Sequence, residues 1–391
     1  MTPRVYLDWN ASAPLRAEAR DAFHAALDLS GNPSSVHGEG RAARQVIEQA
    51  RERVAALAGA DARNVIFTSG GTEANALALS PAIEAAGDKR PFERLLVSAI
   101  EHPSVLAGGR FDPANVETIP VNAGGVMDLA ALDRRLETVG GQRVLVSLMA
   151  ANNETGVIQP VREAAEVVHR HGGLLHVDAV QAAGRMPLDI TAFGADLMTL
   201  SAHKIGGAKG AGALIRLDES IHFADPLIRG GGQERGSRAG TENAASIAAF
   251  WAAAAALKIG FAAEIQHTTN LRDRLESGLR ATTPEAVIFG AEVGRLPNTT
   301  LVAMPGSKAE TLVIAFDLDG VAVSSGSACS SGKVAPSHVL GAMGVPRELA
   351  RGAIRVSTGP ATSEADIDQF LNVWQRLNKS LSKGMKPGLA A

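Results

Sequence analysis

One cysteine, Cys329, stands in a chain of 391 residues. A lone thiol excludes an intrachain disulfide and any multi-thiolate metal site, and no metal ligand is expected among the site residues. A reducing compartment, the cytoplasm, is the expected setting. Aromatic residues are scarce at 4%, whereas glycine occurs 41 times. That balance implies elements packed closely through small side chains. An excess of either charge is also missing. Lys and Arg number 38 against 41 Asp and Glu, a net charge of −3. Nothing basic enough for nucleic acid or a lipid surface follows from that. No uninterrupted apolar run reads as long as the ~20 residues of a membrane span, so no membrane partner is expected. The opening "MTPRVYLDWNASAPL" lacks a basic start followed by a long apolar core, and a secretory leader is not expected.

What is present is an alternation. The stretch 41–59 places Ala42, Val46, Ala50, Val54 and Leu57 on one helical face, with Gly59 where a C-terminal cap belongs. Short apolar runs at 64–70, 94–99, 143–149, 173–180, 196–203 and 212–217 read as strands, and 161–173 as a helix between two of them. Buried strands separated by helices imply a largely parallel sheet in a three-layer α/β architecture. From 244 to 279 the chain reads as one long helical region. A smaller α+β unit follows, with a final helix near 363–382. The tail from Lys379 has no apolar period and is expected to fray.

Ligands of open parallel sheets gather at the carboxyl ends of the strands. Here those ends carry Ser69-Gly70-Gly71-Thr72-Glu73, Glu101-His102, Asn152-Asn153-Glu154, Asp178 with Gln181, and His203-Lys204. Gly70 and Gly71 before a helix allow close backbone approach and offer unpaired N–H groups to a phosphate, with Thr72 adding a hydroxyl. The same residues also serve as an ordinary turn and helix cap. Lys204 closes a strand that should be buried. Desolvation there would lower its pKa and make it a nucleophile, whereas a snorkelling lysine would do nothing. Asp178 suits a protonated ring nitrogen or a helix cap. Phosphate cradle, nucleophilic lysine and acidic ring partner together are what a protein supplies to pyridoxal 5'-phosphate. Cys329 sits among Ser325, Gly326, Ser327, Ser330, Ser331 and Gly332. These offer no apolar face and suit a mobile exposed loop, 324–333, although a buried small hydrophobe is the commoner fate of a free cysteine.

The segments "YLDWNASAPL", "TSGGTEANALAL", "EHPSVL", "LMAANNETGVIQP", "HVDAVQAAGR", "SAHKIGGAKGAGAL", "GGGQERGSRAGTEN" and "SSGSACSSGK" occur in this order from residue 6 to about 360. They resemble the motifs of cysteine desulfurases of the NifS/IscS-like group, within the class V, fold-type I pyridoxal phosphate enzymes. The resemblance implies a large cofactor-binding domain over 15–255. A small domain over 1–14 and 256–391 would carry the cysteine loop. It implies that Lys204 attaches the cofactor and moves the substrate's α-proton, and that Asp178 pairs with the ring nitrogen. Gln181 would donate to the ring hydroxyl, and His102 would stack on the ring and shuttle protons. Gly71, Thr72, Ser201 and His203 would hold the phosphate. Thr241 would reach the phosphate of a neighbouring subunit, which implies a homodimer. Asn153 and Arg355 would bind the substrate carboxylate, and a planar bidentate donor suits that task, although a structural ion pair is the other reading of Arg355. Gly230-Gly231-Gly232-Gln233-Glu234 would shape the site entrance. Trp9, Ser12 and the segment "LPNTTLVAMPG" depart from related wording and are expected to leave the cofactor contacts untouched.

The implied reaction turns L-cysteine into L-alanine and leaves sulfur on Cys329 as a persulfide. With no second cysteine in the chain, that sulfur must pass to an acceptor with its own reactive thiol, such as an iron–sulfur scaffold or a sulfur carrier. A selenocysteine lyase or class V aminotransferase of the same fold is the alternative. A non-enzymatic scaffold in iron–sulfur assembly is disfavoured by the intact Lys204, Asp178, His102 and Cys329.

Overall fold

The computed structural model describes residues 4–326 and 337–384. Seven strands form the main sheet: β1 (Val65–Thr68), β2 (Arg94–Ser98), β3 (Val116–Ile119), β4 (Val144–Met149), β5 (Leu174–Asp178), β6 (Leu197–Ser201) and β7 (Gly212–Arg216). Their spatial order is β1-β7-β6-β5-β4-β2-β3. Neighbours from β6 through β3 run parallel. Strand β7 is antiparallel to both β6 and β1. Only residues 202–211 separate β6 from β7. That is too short for the crossover a parallel partner needs, so the largely parallel sheet contains this one antiparallel strand.

Side chains alternate across the sheet. Leu96, Val146, Leu148, Leu175, Val177, Met198 and Leu200 enter one large core. Leu95, Val97, Leu145 and Leu197 enter a second core on the opposite face. That second face turns polar towards the carboxyl ends of the strands. His176 lies wholly buried between the hydroxyls of Ser147 (2.8 Å) and Thr199 (2.9 Å). Burial pushes its pKa down to about 4, so it is a neutral part of the wall. One step further along the same face come Asp178 and Ser201.

The smaller sheet is antiparallel: β8 (Val287–Ile288), β9 (Thr299–Ala303), β10 (Ser324–Ser325) and β11 (Ala353–Ser357), in the order β8-β9-β11-β10. Its core contains Val302, Ile354, Phe316, Phe370 and Trp374. The N-terminal strand Val5–Tyr6 joins this unit by pairing with Val321–Ala322. The helix Ala244–Thr282 runs without interruption from one unit to the other. Ile247, Phe250 and Leu257 belong to the main core, and Leu271, Leu275 and Leu279 to the core of the smaller unit. Contrary to the reading of apolar runs, this helix contains a stretch long and apolar enough to cross a membrane. Half of that stretch is buried inside the fold, which gives its apolar surface a protein partner.

Two further expectations shift. The helix Gly38–Leu57 buries Ala43, Ile47, Ala50 and Val54, leaving Ala42 exposed and Val46 half-buried. The buried face also takes Arg51, because Glu234 meets its guanidinium through bonds of 2.8 and 3.0 Å. Gly59, at φ +64°, does end this helix, with the Ala60 N–H returning to the Ala55 carbonyl. The C-terminal helix, Glu364–Gly384, continues past Lys379.

Candidate active site

A cavity of about 280 Å³ lies at the carboxyl ends of β4, β5 and β6. One wall is the start of the helix Gly71–Ala78. Here Gly70 is the N-cap and brings no side-chain cap. A Cβ on Gly71 would meet Val180 Cγ2 at 3.0 Å and Ser201 Cβ at 3.4 Å, so any larger residue would have to push these side chains aside. Thr72, Ser201 and His203 line the same end. Burial, with Lys204 and other cations nearby, pushes His203 down to about 4. It therefore presents a neutral ring, with Nδ1 3.3 Å from the Ser12 hydroxyl.

Asp178 ends β5 at the back of the cavity. Its Oδ1 accepts the Val180 N–H at 3.0 Å, and its Oδ2 accepts an amide N–H of Asn75 at 2.8 Å. No helix follows at once, so the carboxylate caps a turn and not a helix, and it also lines the cavity. His102 follows β2, caps the helix Pro103–Leu106 and lines the cavity.

Lys204 donates from Nζ to the backbone carbonyls of Asn10 and Ala11, the latter at 3.0 Å. Gln181 donates to the same Asn10 carbonyl at 3.0 Å and accepts from Arg185 at its Oε1. Arg185 is buried with carbonyl oxygens as its partners, and desolvation, reinforced by Arg355, pushes its pKa down to about 9. A second cavity of about 280 Å³ also touches Lys204, but Arg16 and Glu264 in its wall neutralise each other at 2.6 Å.

Arg355, on β11, is 2% exposed. It donates to the Asn153 carbonyl at 2.9 Å and to Asp8 at 2.7 Å, while its buried Nε–H has no partner among the described residues. The structural ion pair is therefore real, and one face of the guanidinium still borders the cavity. Asn153 lines the cavity as well.

Several expected residues lie elsewhere. Thr241 is exposed on the loop before the long helix and does not line this chain's cavity. Residues 230–234 do not line it either. Glu234 instead anchors Arg51 and accepts the Phe67 N–H at 3.0 Å, with left-handed backbone at φ +45°. Its buried pairing, rather than the site, explains its position. Cys329 lies outside the described residues. The N-terminal segment and the 296–306 segment do touch the site, contrary to expectation. Ser12 reaches His203, while Asn298 and Thr299 hold the side chain of Asn10.

The aminotransferase class-V family profile matches residues 5–370. A cysteine desulfurase of Cereibacter sphaeroides is 44% identical over 95% of this chain and 94% of its own length. The IscS cysteine desulfurase of Dictyoglomus turgidum is 39% identical, over 97% and 96%. The solved NifS-like protein from Rickettsia africae superposes with a TM-score of 0.87 at 35% identity, covering 96% of this chain and 99% of the other. The chain belongs to the aminotransferase class-V family.

Pyridoxal 5'-phosphate, the cofactor of class-V enzymes, fits the residues present. Donors suited to a phosphate gather where a Cβ on Gly71 would intrude. An acid stands at the back for a ring nitrogen, and an amine lies between them. Asn10, Asn75, Ser104 and Arg185 escaped the sequence reading. For Arg185 a signal existed, a cation four residues after Gln181, which is the spacing of helical neighbours.

Proposed function

We propose that this class-V protein is a cysteine desulfurase that converts L-cysteine to L-alanine and passes the sulfur to Cys329. The carrying observation is the convergence of Lys204, Asp178 and Arg355 on one cavity, at 44% identity to a cysteine desulfurase. Bound there, pyridoxal 5'-phosphate supplies an electron sink for the substrate's α-carbon. Gly71, Thr72, Ser201 and His203 hold its phosphate. Asp178 keeps the ring nitrogen protonated, and Gln181, oriented by Arg185, donates to the ring hydroxyl. Lys204 moves the α-proton. Arg355 and Asn153 hold the substrate carboxylate, the buried Nε–H of Arg355 having no acceptor among the described residues and gaining one there.

The substrate's sulfur leaves to the Cys329 thiolate as a persulfide, and an acceptor protein with a reactive cysteine takes it on, for iron–sulfur assembly or another thiolation. We place the enzyme in the cytoplasm, where a single catalytic thiol stays reduced. It acts as a homodimer, and the exposed Thr241 meets the phosphate of the other subunit. The test is alanine formation from L-cysteine by cofactor-loaded enzyme, with Cys329→Ala alongside. Sulfur release at the native rate by Cys329→Ala rejects the role of Cys329. Amino transfer to a keto acid, without alanine formed from cysteine, rejects the desulfurase reading.

A further inference from the structure

We infer that Asn75 and Ser104 lock the neutral imidazole of His102 as its Nε2–H tautomer, so that the cavity receives from His102 a hydrogen-bond donor and not a base. The position of the proton stands on hydrogen-bond geometry, and the neutrality of the ring on its burial. Only the ligand named below, the sulfur of cysteine, rests on the desulfurase reading.

His102 caps a helix whose first residue is Pro103, which has no N–H. The first orphan donor is therefore the Ser104 N–H, and it points at His102 Nδ1 from 3.2 Å. A main-chain N–H can only donate, so Nδ1 presents its lone pair. The Ser104 hydroxyl lies 2.8 Å from the same Nδ1. Its oxygen accepts an amide N–H from Asn75 at 2.9 Å, which leaves the hydroxyl proton for His102. Asn75 cannot turn its amide over. Its Nδ2 also serves the Asp178 carboxylate at 2.8 Å, and a flipped amide would set oxygen against oxygen there. The orientation holds although Asn75 Oδ1 is buried with no partner among the described residues. The relay thus runs one way, from Asn75 to Asp178 on one side and through Ser104 to Nδ1 on the other.

With Nδ1 occupied by two donors, the ring proton sits on Nε2. Burial lowers the pKa of His102, with Lys204 and His338 pushing the same way and Asp178 opposing. The ring is therefore neutral at physiological pH. A second proton can enter only at Nδ1, at the cost of both bonds. His102 accordingly meets the sulfur of cysteine by donating from Nε2–H, which favours the thiolate. The thiol's own proton goes to solvent, and proton abstraction in the cavity is left to Lys204.

Holoenzyme labelled with ¹⁵N-histidine decides the tautomer through long-range ¹H–¹⁵N correlation. The His102 signals are assigned by their loss in His102→Gln. The expected pattern is an unprotonated Nδ1 and a protonated Nε2 from pH 7 to 9, and a protonated Nδ1 overturns the proposal. In Asn75→Ala the Ser104 N–H still keeps Nδ1 an acceptor, so the tautomer should persist while the Nδ1 shift moves as the Ser104 hydroxyl loses its fixed orientation, and an unmoved shift removes the relay. The kinetic arm compares two variants. Glutamine keeps an N–H donor near the place of Nε2 but cannot act as a base. His102→Gln should therefore stay within ~10-fold of wild type in alanine formation while His102→Ala falls ~100-fold or more. Equal losses would mean that His102 acts as a base. If wild-type enzyme makes no alanine, the desulfurase reading fails and the spectra still judge the tautomer.

Discussion

Glu154 offers a test of how burial controls charge beside the site. It is 3% exposed, and its Oε2 accepts the Ser337 hydroxyl at 2.5 Å. Burial pushes its pKa from 4.5 up to about 7, against the opposing pull of Ser337 and Arg355. In the unfolded chain this carboxyl loses its proton near ~4.3, whereas the folded protein keeps it until about 7. Between those values the native state binds more protons than the unfolded one, so this residue's contribution to stability falls as pH rises. A gap of about 2.5 pH units at ~1.4 kcal/mol each amounts to about 3.5 kcal/mol, lost in full above pH 7. Glu154→Gln keeps the shape and an acceptor for Ser337 but cannot ionise. The variant should match wild type within ~1 kcal/mol at pH 4.5 and exceed it by up to ~3.5 kcal/mol at pH 8.5. Urea unfolding followed by tryptophan fluorescence reads this, since Trp374 is fully buried. A difference between the two proteins that stays constant with pH would refute the reasoning.

Other substitutions probe separate parts. Glu234→Gln leaves the Arg51 cation buried without its carboxylate and should cost ~3–5 kcal/mol in the same urea assay; a loss under ~1 kcal/mol would refute the buried pair as an anchor. Arg355→Lys exchanges a bidentate fork for a point charge, so the KM for L-cysteine should rise ~10–100-fold with a smaller change in kcat. An unchanged KM would take the carboxylate from Arg355. Gly71→Ala brings a Cβ to 3.0 Å from Val180. Equilibrium dialysis should show cofactor affinity falling ~10-fold, about 1.4 kcal/mol, whereas undiminished affinity would move the phosphate elsewhere.

Strand ends were legible because burial of both faces leaves a continuous apolar run, and the first polar residue after it marks the rim. The antiparallel β7 was not, because an apolar strand has no direction in its sequence. Only the short connection from Ser201 to Gly212 fixes it. The helix Gly38–Leu57 misled by one position, since the burial of Arg51 depends on a carboxylate 183 residues away. Lys204, Asp178 and Gln181 carry their chemistry in their type and place. Asn10, Asn75 and Ser104 are common polar residues whose roles exist only through partners brought by the fold.

Asn10 shows what such a residue does. Its carbonyl oxygen receives both Lys204 Nζ and Gln181 Nε2. Its side-chain amide donates to Thr299 on β9 at 2.9 Å and to the Asn153 carbonyl at 3.2 Å. Its N–H bonds the Ser357 hydroxyl at the end of β11 at 3.0 Å. The lysine and glutamine follow strands β6 and β5 of the main sheet, whereas β9 and β11 belong to the smaller one. Arg355, also on β11, grips the same Asn153 carbonyl at 2.9 Å. The separation between the amine of Lys204 and the guanidinium of Arg355 is therefore set through one buried residue of the N-terminal segment. Neither sheet sets it alone. A substrate held at its carboxylate by one unit and worked on by the other needs that separation fixed to a fraction of an ångström. The N-terminal segment fixes it because its backbone pairs with Ser357 at the end of β11 while the Asn10 carbonyl receives Lys204 and Gln181.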